Sequence, residues 1–312
     1  MFRKDDFLKV FAVLAVLLFF GGIVSAQNLT VATFNIRNEN SGDYSRGNGW
    51  DTRYPWICSF LRFEDPDIFG SQEVLKDQLS DMLSLLPEYS AVGVGRDDGV
   101  DAGEFEPIFF KKDRFRLLDQ GWFWLAEDPT KPALGWDAAC IRICTYVHLK
   151  DRTTKKKVWF FNLHMDHVGV TARAEGAKLV VRKIKELTKP GEKVFLTGDF
   201  NVDQTNEIYT TFTTSGVLAD SFETALDKYA PNGTVNSFDP NLFSSSRIDH
   251  IFVSPSVKVN NYGVLTETYR APIQLSGSSS EKRSDFPSEI SFEKNIAKTL
   301  SDHFPVIIKV TL

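Results

Sequence analysis

Polar side chains at the ends of apolar runs are the sequence feature that most limits how this chain can fold. A buried strand can be built from apolar residues alone, so a carboxylate, an amide or an imidazole at its tip needs a separate explanation. Such tips occur in the runs VATFN (Asn35), IFGSQE (Glu73), VWFFNLH (His164), VFLTGDFN (Asp199, Asn201), RIDHIFVS (Asp249) and SDHFPVIIKVTL (Asp302, His303). Because these runs extend over nearly the whole chain, we expect their polar ends to converge on one rim of a single folded unit.

The N-terminal segment differs in character from the remainder of the chain. Three basic residues precede the apolar run Val10–Val24, and the small residues Val24-Ser25-Ala26 come just before Gln27. This layout is typical of a secretory signal peptide, and the apolar run is short for a membrane span of about 20 residues. We expect residues 1–26 to be removed and residues 27–312 to form one domain that is periplasmic or extracellular. A retained membrane anchor is the alternative.

The periodicity of the apolar residues predicts both strands and helices. The predicted strands are Leu29–Ile36, Asp67–Ser71, Tyr89–Gly95, Pro107–Lys111, Ile141–Leu149, Lys157–His164, Lys193–Thr197, Ile248–Val253 and Phe304–Val310. The predicted helices are Asp51–Phe63, Leu75–Leu86 and Arg173–Leu187. Strands and helices alternate in the first half, and hairpin-like strand pairs follow in the middle. This mixture indicates an α/β (α+β) fold in which two mixed β-sheets pack together and are covered by helices.

The net charge of the chain weakens one class of function. The formal net charge is −5, and removal of the N-terminal segment, which has three basic and two acidic residues, would make it −6. Affinity for nucleic acids comes largely from basic groups that neutralise phosphates. The acidic balance therefore disfavours a processive or non-specific nuclease without excluding one.

The cysteines indicate no structural zinc site. Cys58, Cys140 and Cys144 cannot all pair within one chain, and no CxxC pair is present. Cys140 and Cys144 lie four residues apart in a strand-like stretch, on the same face but too far apart for a disulfide. We expect free, buried thiols.

Oxygen ligands dominate the polar tips of the strands. Glu73, Asp199 and Asp302 are carboxylates, and Asn35 and Asn201 are amides. Hard oxygen ligands of this kind suit Mg²⁺ or Mn²⁺, whereas zinc would require Cys or His ligands at regular spacing. A divalent ion can polarise a phosphoryl oxygen and stabilise a leaving oxygen. The sequence therefore predicts a divalent-metal-dependent phosphoester hydrolase.

Histidine is rare in this chain and is concentrated in the polar motifs. Of the five histidines, four lie in the motifs: His164, His167, His250 and His303. A structural role would be the better hypothesis for any one of them, but four in the motifs favour catalysis or phosphate binding. His303 beside a carboxylate such as Asp249 would be held in one tautomer, as a general base or a phosphate ligand requires.

In combination and in this order, the motifs resemble those of the endonuclease/exonuclease/phosphatase (DNase I-like) superfamily. The matching stretch covers residues 29–311, and the segment GVGRDDGVDAGEFEPIFFKKDRF is similar to a bacterial secreted branch of that superfamily. The resemblance implies a four-layer sandwich, with two central mixed β-sheets flanked by helices and a site at one rim.

The resemblance also implies which residues hold the metal and the phosphate. Glu73 would be the main ligand of one or two Mg²⁺ (or Mn²⁺) ions, with Asn35 beside it. Asp302 would complete the carboxylates on the metal side. Asn201 would orient the phosphate.

The remaining motif residues would carry the catalytic steps that the resemblance implies. Asp199 would activate the attacking water or protonate the leaving oxygen. His303, paired with Asp249, would contact the scissile phosphate or act as the base. His164 would stabilise the charge on five-coordinate phosphorus, oriented by Glu104.

Other polar residues interrupt the apolar pattern and are candidates for substrate binding, with a surface or supporting role as the alternative. They are Arg96, Arg142, His167 and Asn236. The Ser-rich segment Gln274–Glu289 is predicted to be a loop that either gates the site or is a tolerated surface insertion.

Three hypotheses about function follow. The first is a secreted phosphodiesterase or nuclease, endo- or exonucleolytic. The second is a phosphatase or phosphodiesterase for a small sugar, inositol or lipid-linked phosphate, which export and acidity favour slightly. The third is an inactive binding module, which the presence of Glu73, Asp199 and His303 disfavours. The phosphoester substrate is the one partner that these motifs predict.

Overall fold

The computed structural model describes residues 28–272, 285–287 and 289–312. The predicted signal peptide (residues 1–26) and most of the predicted loop at Gln274–Glu289 lie outside these described residues. Within them, no helix combines the length and the apolar character that a membrane crossing requires.

The elements follow one another along the chain in the order given by their numbers. The strands are β1 (Asn28–Asn35), β2 (Ile68–Gln72), β3 (Tyr89–Val92), β4 (Ile108–Lys111), β5 (Phe115–Trp124), β6 (Ile143–Asp151), β7 (Lys157–His164), β8 (Lys193–Asp199), β9 (Ala219–Asp220), β10 (Asp227–Tyr229), β11 (Asp249–Val253), β12 (Lys258–Val264), β13 (Thr268–Pro272), β14 (Asn295–Thr299) and β15 (Val306–Thr311). The helices are α1 (Ser41–Ser45), α2 (Trp50–Glu64), α3 (Lys76–Leu85), α4 (Val170–Leu187), α5 (Glu207–Thr213) and α6 (Ser221–Thr224).

Two large sheets organise the fold. The first has the strand order β10-β12-β15-β1-β2-β4-β3, and the second has the order β5-β6-β7-β8-β11-β9. Both are mixed, because the pairs β1–β2 and β7–β8 are parallel whereas β1–β15 and β8–β11 are antiparallel. Strands β13 and β14 form a separate antiparallel pair.

The sheets pack face to face, and helices cover their outer faces. Val31 of β1 and Phe160 of β7 belong to one apolar core between the sheets. On the outer face of the first sheet, Phe69 packs in a cluster with Ile57 of α2. On the outer face of the second sheet, the core includes Val180 of α4. The predicted four-layer sandwich is therefore confirmed.

A buried polar network ties the two sheets together at their centre. Asn162 of β7 donates from Nδ2 to the backbone oxygens of Ser71 (2.8 Å) and Pro107 (3.1 Å). Its Oδ1 accepts from Gln72 Nε2 (2.7 Å) and from Thr197 Oγ1 (3.0 Å). Because Asn162 is buried and both ends of its amide are hydrogen-bonded, it fixes how the strand ends of one sheet meet those of the other.

Every predicted strand and helix has a counterpart in the structure, with ends within about three residues, a normal error for element boundaries. The missed strands are mostly edge strands or polar strands. Strand β5 contains Asp119 and Gly121, has a register shift between Leu117 and Asp119, and exposes several side chains. Because an edge strand buries little, its sequence shows little apolar alternation.

Candidate active site

The polar strand ends do converge on one rim. Strands β7 and β8 are parallel and end together at His164 and Asp199. Strand β11 runs antiparallel to β8, and its first residue, Asp249, is paired with Asp199. Asp302 and His303 precede β15, which neighbours β1 in the other sheet. A cavity of about 280 Å³ opens among these groups.

Most of the predicted site residues line this cavity. They are Glu73, Arg96, Glu104, Arg142, His164, His167, Asp199, Asn201, Asp302 and His303. Asn35 and Asp249 are fully buried and bond to residues of the lining. Asn236 is buried and bonds to Asp302 through its backbone rather than lining the cavity. The structure therefore brings all but these three to the cavity wall.

A buried pair joins His303 to Asp249. The distance from His303 Nδ1 to Asp249 Oδ2 is 2.9 Å. Burial acts to lower the pKa of His303, but the charge of Asp249 and the hydrogen bond to it raise that pKa well above its ordinary value. The pair thus stabilises an imidazolium whose Nε2 lies 3.8 Å from Asp199 Oδ2.

Asp199 is held by donors on both carboxylate oxygens. Its Oδ1 accepts from the backbone N–H of Asn201 (2.9 Å), and its Oδ2 accepts from Asn35 Nδ2 (3.1 Å). Burial and the negative charge of Asp249 raise the pKa of Asp199 to about 7, with His303 acting in the opposite direction. The carboxylate is oriented and borders the cavity, which are the properties that a general base needs.

His164 is fixed in a neutral form next to Asp199. Asn201 donates from Nδ2 to the backbone oxygen of Met165 (2.9 Å), and the same nitrogen lies 3.1 Å from His164 Nε2. This assigns His164 Nε2 as an acceptor and places the proton on Nδ1. Burial lowers the pKa of His164 well below its ordinary value, and the charge of Arg142 adds to this effect.

Glu73 and Asp302 add two further carboxylates to the wall of the cavity. Glu73 accepts from Asn35 Nδ2 (3.0 Å) and from the backbone N–H of Asn38 (3.1 Å). A single guanidinium group, that of Arg37, lies 3.9 Å from Glu73 and 3.6 Å from Asp302. Burial, together with the charge of Glu73, raises the pKa of Asp302. One cation therefore only partly balances two converging carboxylates, and this leaves a negative region suited to a metal ion.

Asn35, a predicted metal ligand, uses both ends of its side-chain amide in hydrogen bonds to protein groups. Its Oδ1 accepts from the backbone N–H of Arg37 (3.0 Å), and its Nδ2 donates to both Glu73 and Asp199. In this arrangement Asn35 orients the two carboxylates. A direct role as a metal ligand stays a prediction.

Three compact groups of ligand-type side chains, with ligand atoms within 4.8 Å of one another, also occur among the described residues. They are Cys140, Asp166 and His167; Glu104, Glu106 and His164; and Asp199, Asp249 and His303. Each has a competing use: His303 Nδ1 bonds to Asp249, Asp166 accepts four backbone N–H groups, and Glu104 pairs with Arg96. Glu73 and Asp302, by comparison, are carboxylates that share one guanidinium, that of Arg37.

Arginines form the remaining wall of the cavity. Arg142 is buried, and its Nη2 lies 3.1 Å from His167 Nδ1. Its nearest carboxylate contact is Asp166, 3.6 Å from Nε. Arg96 pairs with Glu104. Because Asp166 also accepts four backbone N–H groups and Arg142 Nε has no hydrogen-bond partner among the described residues, this guanidinium can attract an anionic or oxygen-rich substrate.

Glu104 and Glu106 lie near His164, but neither makes a hydrogen bond to it. Glu104 accepts from Asn38 Nδ2 (2.8 Å) and from Arg96. The predicted orientation of His164 by Glu104 is therefore not a direct bond in this structure. Glu106 has 0% exposure and, among the described residues, no hydrogen-bond partner on either carboxylate oxygen. Burial raises the pKa of Glu106 well above its ordinary value, which indicates a neutral acid.

Four further residues of this region were not predicted from the sequence: Arg37, Asn38 and Cys140, which line the cavity, and Glu106, which does not. Arg37 and Asn38 directly follow the motif residue Asn35, and this adjacency was the available signal. Cys140 is half-buried and precedes β6, so the prediction that it is a buried strand residue was wrong. It is a free thiol, as expected.

Three residues of the site have left-handed backbone conformations. The φ angles are 60° for Arg37, 60° for Glu73 and 50° for Asn201. This conformation is uncommon for residues other than glycine, and strained residues of this kind concentrate at functional sites. The strain supports a functional rather than a purely structural role for the rim.

A family profile matches the part of the chain that builds this rim. The sequence profile of the Endonuclease/Exonuclease/phosphatase family matches residues 32–303. This range contains every motif residue from Asn35 to His303.

Solved structures from Bacteroides are similar to this chain over most of its length. An endonuclease/exonuclease/phosphatase family protein from Bacteroides thetaiotaomicron is 48% identical, with a TM-score of 0.84 over 92% of this chain and 98% of that chain. A mannosyl-6-phosphatase from Bacteroides thetaiotaomicron is 49% identical, with a TM-score of 0.82 over 91% of this chain and all (100%) of that chain. An endonuclease/exonuclease/phosphatase from Bacteroides vulgatus is 36% identical, with a TM-score of 0.78 over 92% of this chain and 99% of that chain.

Two uncharacterized proteins of Acanthamoeba polyphaga mimivirus are similar to parts of the chain. One is 26% identical over 161 residues, which make up 49% of this chain and 60% of the viral protein. The other is 30% identical over 95 residues, which make up 27% of this chain and 14% of the viral protein. The chain thus spans less than two thirds of the length of these curated relatives.

Proposed function

This chain belongs to the Endonuclease/Exonuclease/phosphatase family, and on that premise we propose that it is a divalent-cation-dependent phosphomonoesterase that acts on a small phosphorylated sugar. Members of this family hydrolyse phosphoester bonds, and the chain is accordingly a phosphoester hydrolase. The substrate, the metal and the roles of individual residues are the proposed part.

The size of the cavity is the observation that carries the choice of substrate. Its volume of about 280 Å³ is just below the range for small-molecule pockets, roughly 300–1,000 Å³. A phosphate group with one small substituent suits a cavity of this size. The mannosyl-6-phosphatase that is 49% identical to this chain supports the same class of substrate.

Asp199 is proposed to receive the proton of the attacking water. Its carboxylate borders the cavity and is held by the backbone N–H of Asn201 and by Asn35. A water beside Asp199 would transfer a proton to it while the water oxygen forms the bond to phosphorus and the bond from phosphorus to the leaving oxygen breaks. The leaving oxygen would then need a proton, which solvent or a neighbouring acid would supply.

His303 is proposed to hold the phosphoryl oxygens, whereas the predicted contact of Asn201 with the phosphate is not supported, because its Nδ2 already faces Met165 and His164. The imidazolium form of His303 is stabilised by Asp249 and directs Nε2 toward Asp199. Arg142, whose partner Asp166 also accepts four backbone N–H groups, adds a second positive charge on the cavity wall. Preorganised positive groups stabilise the charge that builds up on the phosphoryl oxygens in the transition state.

Glu73 and Asp302 are proposed to hold Mg²⁺ or Mn²⁺, with Asn35 orienting Glu73. Such an ion, when bound, would polarise a phosphoryl oxygen and stabilise the leaving oxygen. The fit rests on the two carboxylates that converge on the Arg37 guanidinium and leave a negative region. Hard oxygen ligands favour these ions over zinc.

A nuclease or another phosphodiesterase is the second candidate. The arginines at the cavity, Arg37, Arg96 and Arg142, would suit a nucleic-acid backbone. The formal net charge of −5 opposes it, since non-specific binding of nucleic acid depends on basic surface charge. Because of this negative charge, we rank the nuclease as the second candidate function.

Substrate tests would separate the two candidates. We expect the protein with Mg²⁺ to release phosphate from mannose 6-phosphate, and the Asp199→Asn variant to lose at least about 100-fold in kcat, as for removal of a general base. Parallel reactions would use single-stranded RNA, duplex DNA and bis(p-nitrophenyl) phosphate. Cleavage of RNA or DNA without release of phosphate from the sugar would reverse the order of the candidates. If no substrate is cleaved, the proposal of a catalyst fails.

Metal binding would be measured directly by calorimetric titration with Mg²⁺. Glu73→Gln should weaken the affinity by about tenfold or more, because the amide removes a negative ligand, while the melting temperature changes little. Glu186→Gln, on the exposed surface of α4, is the matched control. An unchanged Mg²⁺ affinity in the Glu73 variant would contradict the proposed metal site.

Export is also proposed, on the basis of the signal-peptide layout of residues 1–26. Expression of the full chain in a bacterium, followed by mass spectrometry of the periplasmic and culture fractions, would test it. A product that begins at or near Gln27 is expected. Recovery of the full-length chain in the cytoplasm would refute the proposal.

A further inference from the structure

A second cavity adjoins the first on the side of Asp302. Its volume is about 300 Å³, and it shares Arg37 and Asp302 with the catalytic cavity. The rest of its lining includes Arg46, Asn48 and Phe238. The second cavity contains neither Asp199 nor a histidine, so it can contact a ligand but lacks the groups proposed to act on phosphorus.

The walls of the second cavity are held in place by one buried arginine. Arg53 has 0% exposure and donates to the backbone oxygens of Asn48 (2.7 Å), Leu300 (3.0 Å) and Arg37 (3.2 Å). Its guanidinium carbon lies 5.4 Å from the centroid of the Phe238 ring. Arg53 therefore supports the Phe238 ring from behind and joins it to three segments around the cavity.

The charges of the lining are close to balanced. Asp43 accepts from Arg37 Nε (3.0 Å) and from Arg46 Nη2 (2.5 Å), so one buried carboxylate serves both guanidinium groups. Asp302 lies 3.6 Å from Arg37. Together with Glu73, which also pairs with Arg37, these carboxylates leave no excess of positive charge, and this favours an uncharged polar ligand over a second phosphate.

The turn that carries Phe238 is strained. Ser237 and Phe238 have φ angles of 53° and 63°, two consecutive left-handed residues that are not glycine. The turn is held because the N–H groups of Asn236 and Ser237 donate to the backbone oxygen of Asp302 (2.8 and 3.1 Å) and Phe238 N–H donates to Asn236 Oδ1 (2.8 Å). Strain of this kind persists where the surroundings enforce it, and it is concentrated at ligand sites. The strained turn places an aromatic ring beside Asp302.

We propose that the second cavity binds the sugar ring of the substrate, with Phe238 as an apolar platform for one face of the ring. The proposal rests on the proposed phosphatase function and names the part of the site that selects the sugar. A pyranose has an apolar C–H face and a rim of hydroxyl groups. The Phe238 ring can pack against the apolar face, and the N–H groups of Arg46 and Asn48 can donate hydrogen bonds to the hydroxyl oxygens. The Oδ1 of Asn48 is already engaged by Lys298, so its amide N–H groups are the ones available to a ligand.

The kinetic test compares a sugar phosphate with a phosphate that lacks the ring. Phe238→Ala should raise KM for mannose 6-phosphate about tenfold, the equivalent of one lost aromatic contact, while kcat/KM for methyl phosphate stays within about twofold. Phe238→Tyr should restore the KM, since it keeps the ring. Alanine has a Cβ atom, as phenylalanine does, so the substitution leaves the steric cost of the left-handed backbone at position 238 unchanged. Phe243→Ala is the matched control, because Phe243 lies in the same segment but is 75% exposed and does not line the cavity.

The possible outcomes distinguish failure of the sugar subsite from failure of the proposed phosphatase function. Equal losses on both substrates would mean that Phe238 supports the catalytic rim instead, and no loss on either would mean that the sugar binds elsewhere; both results overturn the subsite. A wild-type protein that hydrolyses neither substrate would overturn the proposed function. In that case, binding of methyl α-mannopyranoside, followed by saturation-transfer NMR, decides the subsite. Binding that Phe238→Ala abolishes supports it, and binding that is absent or unaffected by the substitution refutes it.

Discussion

Glu106 provides the sharpest test of the electrostatics of this site. The side chain has 0% exposure, lies near Glu104 and His164, and has no hydrogen-bond partner among the described residues. Burial, and then the charge of Glu104, raises its pKa well above the ordinary value of 4.5, although Arg96 and Arg142 act in the opposite direction. The folded protein should therefore contain a neutral Glu106, and Glu106→Gln, which cannot ionise, isolates the effect.

The sign and size of the effect follow from proton linkage. In the unfolded chain Glu106 ionises near its ordinary pKa of 4.5, whereas in the folded protein it stays protonated to higher pH. Between these two pKa values the folded state binds one more proton, so the wild type loses about 1.4 kcal/mol of stability per pH unit as the pH rises. The glutamine variant lacks this pH-dependent loss of stability, because its side chain does not ionise. Its free energy of unfolding minus that of the wild type should therefore increase by about 1.4 kcal/mol per pH unit.

Urea denaturation monitored by circular dichroism would measure this difference at several values between about pH 5 and about pH 8. A chelator would remove the contribution of bound metal. The unpaired amide of glutamine adds a constant cost, so the slope with pH is the diagnostic quantity rather than the offset. Glu186→Gln, on an exposed helix surface, should give a flat difference. A flat difference for Glu106→Gln would refute the reasoning and indicate an ionised carboxylate balanced by Arg96 and Arg142.

Three further substitutions test other parts of the structure. Asp249→Asn should reduce kcat by about 100-fold or more, because the imidazolium of His303 loses its counter-ion; NMR titration should show a lower His303 pKa, and an unchanged pKa would contradict the pairing. Arg53→Met should destabilise the protein by about 4 kcal/mol or more in urea denaturation, because at least three buried backbone oxygens lose their donor at about 1–3 kcal/mol each. A loss below about 1 kcal/mol would show that Arg53 is not a structural support. Gly198→Ala would place a Cβ 2.2 Å from the Leu163 backbone oxygen, at a φ of 154°. We expect about 2 kcal/mol or more of destabilisation together with loss of activity, and a variant with wild-type stability would contradict the close approach.

The site residues at the ends of strands could be predicted from the sequence, whereas those in loops could not. Asn35, Asp199 and Asp249 could be found because a polar group at the tip of an apolar run has few structural explanations. Arg37 and Phe238 could not, since an arginine or a phenylalanine in a loop is ordinary. Their importance comes from left-handed backbone conformations and from contacts to residues distant in the chain.

The sequence by itself determined the two packed mixed sheets and the motif residues, because buried strands need an apolar pattern and polar tips stand out against it. The order of those motifs carried the resemblance to the family, which the profile match confirms. The tertiary structure decided which motif residues touch the cavity and which act from behind it, as Asn35, Asp249 and Asn236 do. It also revealed that Glu106 is buried without a hydrogen-bond partner among the described residues, and that a second cavity lies beside Asp302. Burial and pairing across two sheets depend on strand register and on how the sheets pack. These are properties of the whole chain, and no local pattern encodes them.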